Sequence, residues 1–188
     1  MKKVLLLLVT ALLMTSCVTL TPEQKAALEK YTKGYVRQSV MKQKYDINVT
    51  SMTPMRAATS YSVAGHWLKV DSIYLDCSLP YAGFDDIPHL KTRSEARMDS
   101  RLEFKSEILE YVVNFQPKEQ RAIATFTTDY HGDLYTFTIT IEDDGDTHIH
   151  LEPDKRDYID YDGNIVVPKP EKLPQMESTE TTEEKSEN

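Results

Sequence analysis

Residues 133–141 alternate so regularly that one backbone shape satisfies them. Tyr135, Phe137, Ile139 and Ile141 fall on one side of an extended strand, and Leu134, Thr136, Thr138 and Thr140 on the other. A period of two with bulky apolar residues on one face marks an antiparallel strand that buries that face and shows the other to water. Neighbouring segments repeat the rule. The strand 121–128 leads into Tyr130-His131-Gly132-Asp133, a tight hairpin, and Asp143-Asp144-Gly145 turns the chain into a strand where Thr147, Ile149 and Leu151 alternate with His148 and His150. Further strands are expected at 45–51, 58–64, 67–79, 109–116 and 156–161. Strands joined by short turns predict a mainly β (α+β) fold, an antiparallel meander forming an open barrel or a two-layer sandwich, lipocalin-like in architecture.

A helix precedes the meander. Thr21-Pro22-Glu23-Gln24 has the residues of a capping box, and proline at the first helical position loses nothing by lacking an N–H. Leu28, Tyr31, Tyr35 and Ser39 then recur at helical spacing, predicting a helix from Pro22 to about Gln43 with one stripe to bury. Two segments break the pattern. Residues 80–100 lack strand periodicity and read as a long surface loop, a length that is uncommon unless functional or disordered. Residues 168–188 are rich in Lys and Glu without aromatic or β-branched aliphatic residues, the composition of a disordered acidic tail.

The N-terminus carries an address. Lys2 and Lys3, an apolar run over 4–13 and Ser16-Cys17 resemble a bacterial lipoprotein signal, which implies cleavage after residue 16 and lipidation of Cys17. The run is too short for a comfortable transmembrane helix, which takes about 20 residues. The chain therefore divides into a signal at 1–16, a lipidated cysteine and spacer at 17–20, a β-rich domain at 21–167 and the tail at 168–188. Attachment to the membrane is expected through N-terminal acyl chains, stable when two or more chains insert. Acidic residues directly after the cysteine would favour surface export, and Val18-Thr19-Leu20-Thr21 supplies none, so an outer-membrane anchor facing the periplasm is expected.

A formal net charge of -8 rules out the clustered basic surface that nucleic acid requires. The chain has only two cysteines, so lipidation of Cys17 leaves Cys77 without an intramolecular partner. Leu75 and Leu79 share its strand face, which predicts a buried, inert thiol.

The segment Val70-Asp71-Ser72-Ile73-Tyr74-Leu75, then Leu79-Pro80-Tyr81-Ala82-Gly83-Phe84, resembles a pattern from lipoproteins of Bacteroides-type bacteria in which a strand enters a Leu-Pro-Tyr-x-Gly turn. The similarity continues through Leu102-Glu103-Phe104, the strands 121–141, and Arg156 to Ile165 with its Arg-x-x-Ile-x-Tyr-x-Gly spacing. Over residues 42–165 the chain resembles the family catalogued as domain of unknown function 4251, which implies no activity, substrate or cofactor. Pro80 and Gly83 suit a strand-ending turn without any ligand. The functional alternative places Tyr81 and Phe84 at the mouth of a binding groove.

Sites for chemistry are sparse. His148 and His150 point to one side of a strand and are weak candidate metal ligands, with His131 or Asp129 as a third donor; exposed strand histidines opposite a core face explain them better, so no metal is expected. Asp143 to Asp146 and Asp160 to Asn164 hold close carboxylates without EF-hand spacing, and both read as turns. No nucleophile elbow, phosphate loop or zinc-protease motif occurs, so no catalytic residue and no cofactor is expected. Asp71-Ser72-Ile73 resembles an O-glycosylation acceptor with Ser72 as the modified residue. These features predict a non-enzymatic envelope lipoprotein binding a protein partner or a small envelope ligand. The alternatives are a lipocalin-like carrier, with Tyr135, Phe137, Ile139 and Ile141 lining a cavity, and a hydrolase whose site is assembled across strands.

Overall fold

The strand periodicity resolves into eight antiparallel strands in a computed structural model that describes residues 21–57, 59–82 and 100–170. One helix, α1 (Pro22–Met41), precedes β1 (Lys44–Pro54), β2 (Tyr61–Asp71), β3 (Tyr74–Tyr81), β4 (Ser100–Gln116), β5 (Arg121–Tyr130), β6 (Asp133–Glu142), β7 (Asp146–Pro153) and β8 (Ile159–Ile165). Each strand pairs with the next, and β8 returns to β1, so the meander closes into a barrel. The barrel and the last turns of α1 form one unit, Lys30–Pro170. The expected leader, lipidated Cys17, Phe84, nearly all of the 80–100 loop and most of the acidic tail fall outside the described residues.

Closure depends on one glycine. β1 and β8 pair from Ile47↔Ile165 to Pro54↔Ile159, with a bulge between Val49 and Ser51. Beside it, a Cβ on Gly163 would lie 2.4 Å from the Asn48 carbonyl oxygen, a backbone atom that cannot swing aside. Only a residue without a side chain allows the strands to approach this closely.

An eight-stranded barrel is just wide enough for side chains to fill its interior. Rings do so here: Phe126 stacks on Phe137 at 5.1 Å and on Tyr111 at 5.8 Å, while Phe104 stacks on Tyr130 at 4.5 Å. Phe137, Ile139, Ile149, Leu151, Leu68, Leu75 and Leu79 are all 0% exposed. A void large enough for water would leave part of their surface accessible, so these side chains pack a core rather than line a cavity.

Turn chemistry accounts for the boundaries. His131 and Gly132 both have positive φ (57° and 72°), as the two-residue hairpin between β5 and β6 requires. The strand expected over 67–79 is two strands, because Ser72 (φ 57°) turns β2 into β3 with Asp71 opposite Tyr74. Conversely, 58–64 and 67–71 do not part: β2 runs through Gly65, whose φ of 75° bends the strand without ending it. β4 begins at Ser100, well before the expected 109. Asp160 to Asn164 is strand, not turn.

The capping box forms as expected, with Gln24 N–H donating to Thr21 Oγ1 at 3.3 Å and Thr21 N–H to Gln24 Oε1 at 3.0 Å. The buried stripe of α1 overlaps the expected one. Val36, Ser39 and Val40 are its buried residues and Tyr35 packs against the core, so Tyr35 and Ser39 of the expected stripe are kept and the valines join them. The Ser39 hydroxyl donates to the Val36 carbonyl at 2.9 Å, so its burial leaves no orphan. Arg37 grips Asp143 on the β6–β7 turn through two 2.9 Å bonds, and Lys33 adds an ion pair at 2.6 Å. Burial alone would raise the Asp143 carboxyl; the bonds and charges of Arg37 and Lys33 outweigh it and hold the group below its ordinary value.

Two predictions follow from these contacts. Gly163→Ala is expected to cost roughly 1–3 kcal/mol or more, as overpacking against backbone does, read as a lower denaturant midpoint. A carboxyl with a depressed folded pKa stabilises above its unfolded value near ~3.9 and loses that contribution as pH falls through the folded value. The stability gap between the unaltered chain and Asp143→Asn is therefore expected to be constant above about pH 5 and to narrow below about pH 4 in acid denaturation.

Candidate functional site

The chemistry-bearing side chains lie on the outer wall, where β7 and β8 present alternate residues to solvent. Register sets His148 opposite Asp162 and His150 opposite Asp160. His148 Nδ1 lies 2.9 Å from Asp162 Oδ1, and His150 Nδ1 2.6 Å from Asp160 Oδ1. From β1, Ser51 Oγ donates to Asp162 Oδ2 at 2.8 Å and Thr50 Oγ1 to the Asp162 carbonyl at 3.2 Å. Burial raises the Asp162 carboxyl, but the bonds from His148 and Ser51 and the charge of His148 together outweigh it and hold the group below its ordinary value.

The histidines do share a side, yet each is engaged by its own aspartate. The third donors suggested by the sequence are elsewhere: Asp129 accepts the Gly132 N–H at 3.2 Å in the β5–β6 hairpin, and the His131 ring packs on Tyr130 at 4.1 Å. Thr140, the β6 neighbour of His148, is seven residues from that turn, about 24 Å along a strand. Among the described residues no three ligating side chains converge on a point.

Beside His148 lies an open groove of about 420 Å³ bounded by Thr50, Thr140, Glu142, Asp146, Asp162 and Asn164. Its lining of carboxylates and hydroxyls is chemically suited to polar or cationic groups. The phenols raised most by burial, Tyr45 and Tyr161, are core residues away from it.

The Leu-Pro-Tyr turn proves structural. Tyr81 is 2% exposed, not at a groove mouth, and its hydroxyl donates to the Asp157 carbonyl at 2.8 Å. Arg156 lies over the Tyr81 ring at 5.6 Å, and Tyr161 O–H donates to the Pro80 carbonyl at 2.9 Å. The two motifs singled out in the sequence thus hold each other, the closing Arg-x-x-Ile-x-Tyr segment clamping the last residues of β3. Cys77 is fully buried on the same strand, and burial pushes its thiol up to about 12, which leaves it protonated and unreactive. Ser72 is exposed at the tip of the β2–β3 hairpin.

The most exposed apolar side chains of this region lie where β3 begins, at the β2–β3 hairpin, and on the neighbouring part of β4. Ile73 is 52% exposed, Tyr74 48%, Leu109 62% and Val112 55%. Tyr74 pairs with Glu107, and Ile108 N–H donates to the Ile73 carbonyl at 2.7 Å. A bulge between Ile108 and Glu110 leaves Leu109 unpaired and turned outward. Sequence reasoning missed this group. The available signal was the doublets Ile108-Leu109 and Val112-Val113, since adjacent apolar residues in a strand cannot both face the core.

The family model for the domain of unknown function DUF4251 matches residues 27–165. The chain belongs to the DUF4251 family. The crystal structure of a DUF4251 family protein from Bacteroides eggerthii DSM 20697 is similar in fold, with a TM-score of 0.54 at 9% identity, covering 72% of this chain and 87% of that one. No curated protein matches the chain. The eight-stranded barrel with its N-terminal helix is thus the form this DUF4251 domain takes, and the Pro80–Tyr161 clamp lies inside the matched range.

Because no third ligating side chain converges on the two histidines among the described residues, a thermal-shift titration with Zn²⁺ is expected to leave Tm unchanged. A saturable rise abolished by His148→Ala would restore a metal role to this face.

Proposed function

We propose that this DUF4251 protein is a non-enzymatic lipoprotein of the cell envelope whose barrel binds a protein partner through its outer wall. The observation that carries the reading is the exposed apolar group Ile73, Tyr74, Leu109 and Val112 at the start of β3 and on the neighbouring part of β4. Exposed apolar clusters on a domain with a filled core mark contact surfaces more often than they serve stability. The interior supports the same choice over carriage, since Phe137 and Ile139 are 0% exposed and Tyr135 2%. Anchoring rests on the lipoprotein-like residues at 1–17, with Cys17 as the acylated residue and the periplasmic face of the outer membrane as the location. A tether of this kind confines the domain to a layer near the membrane, where even modest affinity for an envelope protein suffices through raised local concentration.

The test is crosslinking of the full chain in intact cells, followed by membrane fractionation. The unaltered chain is expected to sediment with membranes and give a discrete heterologous adduct. Cys17→Ser should release it to the soluble fraction. The pair Ile73→Lys and Leu109→Lys, on exposed positions, should abolish the adduct while leaving the folded signal unchanged. An adduct indifferent to those two changes would sink the surface assignment, and membrane association without Cys17 would sink the anchor.

A further inference from the structure

β4 is 17 residues long and β3 only 8, and this mismatch leaves an edge inside an otherwise closed barrel. Pairing with β3 stops at Tyr74↔Glu107, followed by the single bond from Ile108 N–H to the Ile73 carbonyl. Beyond it, β4 continues against β5 from Glu110↔Thr127 to Gln116↔Arg121. Its other side has no strand partner among the described residues. An antiparallel strand directs the N–H and C=O groups of alternate residues to each side, so over 110–116, about 24 Å, every second residue turns these groups to a side with no strand partner among the described residues. Natural edges are usually guarded by lysine or proline. Between Leu109 and Gln116 there is neither, and Glu110 is the sole charge.

We infer that this edge pairs with the same edge of a second copy of the chain, antiparallel about a two-fold axis through Val113. The inference goes beyond the reading above, whose partner is a different protein. What selects a second copy is self-complementarity. With Val113 opposite itself, Tyr111 faces Phe115 twice on the inner side, giving aromatic cross-strand pairs. On the outer side Val112 faces Asn114 and Glu110 faces Gln116, so the only charge never meets its own copy. A register shifted by one residue would set inward side chains against outward ones, which the pleat forbids. The arrangement is isologous and closed, so it ends at a dimer without growing into a fibre.

The test uses the full chain in its own membranes. Under mild oxidation, Val113→Cys is expected to yield a covalent dimer, because residues on the axis lie about 4.5–5.5 Å apart at Cα, within disulfide reach. Since Val113 is half-buried, a mixture of Val112→Cys and Asn114→Cys chains gives a second reading from exposed positions; these should crosslink to each other in preference to themselves. Adding V112K with N114K to the Val113→Cys chain sets like charges opposite one another twice, and should cut the dimer yield about tenfold. V112K with N114E sets opposite charges there and should restore it. Dimer yields no higher than from Glu152→Cys on β7, or yields blind to the charge pattern, would overturn the inference. Loss of the heterologous adduct in the Ile73 and Leu109 variants, with no dimer from any cysteine variant, would overturn self-pairing alone and leave the partner reading standing.

Discussion

Pairing between β1 and β8 turns a meander with two hydrogen-bonding margins into a wall that encloses its own core. Every other strand contact in this molecule is local in sequence, joining neighbours through a turn or connection. The β1–β8 pairing instead joins residues such as Ile47 and Ile165, more than a hundred positions apart, and it must be made before the interior is sealed. The backbones approach so closely at Gly163 that a single methyl group would be intolerable, and the bulge at Val49 and Ser51 absorbs the local curvature. Closure then fixes the barrel width, and within it Phe104, Phe126, Phe137 and their neighbours pack the core.

The same closure dictates where polar chemistry can sit. With the inner face apolar, the histidines and carboxylates of β7 and β8 are forced to the outside, where they meet across the ladder as His148–Asp162 and His150–Asp160 pairs. Such pairs are half-solvated and hold each other, which satisfies them without demanding a metal or a substrate. At the helix end, Arg37 and Lys33 converge on Asp143, tying the last turns of α1 to the β6–β7 turn. A partly buried bidentate pair of this kind fixes orientation as well as adding energy.

The two sequence motifs of the family find a physical explanation in their contact. Pro80 and Tyr81 end β3; Arg156, Asp157 and Tyr161 enter or occupy β8; and the hydroxyls of Tyr81 and Tyr161 bind main-chain carbonyls across that gap. A buried tyrosine needs a partner for its hydroxyl, and a main-chain carbonyl, with two lone pairs, can supply one. Each motif supplies what the other lacks. Tyr81 is therefore part of the brace of a scaffold, and the exposed group at Ile73, Tyr74, Leu109 and Val112 sits where β4 outruns β3.

Much of the fold was legible without coordinates. The period of two over 133–141, the His131-Gly132 turn, the capping box at Thr21 and the burial of Cys77 beside Leu75 and Leu79 are local properties of backbone and side chain, and each element obeys them. Where turn chemistry was atypical, reading failed: Ser72 takes a positive φ without being Gly or Asn, and Gly65 bends a strand that it was expected to break. The candidate site was less legible, because His148 and His150 could be placed on one face while the aspartates that occupy them come from another strand. By itself the sequence determined the alternation, the turns and the apolar inventory of this protein. Only the tertiary structure decided that the meander closes, that Tyr81 faces inward, and that β4 keeps an open edge, since those outcomes depend on register between distant strands, to which no local pattern is sensitive.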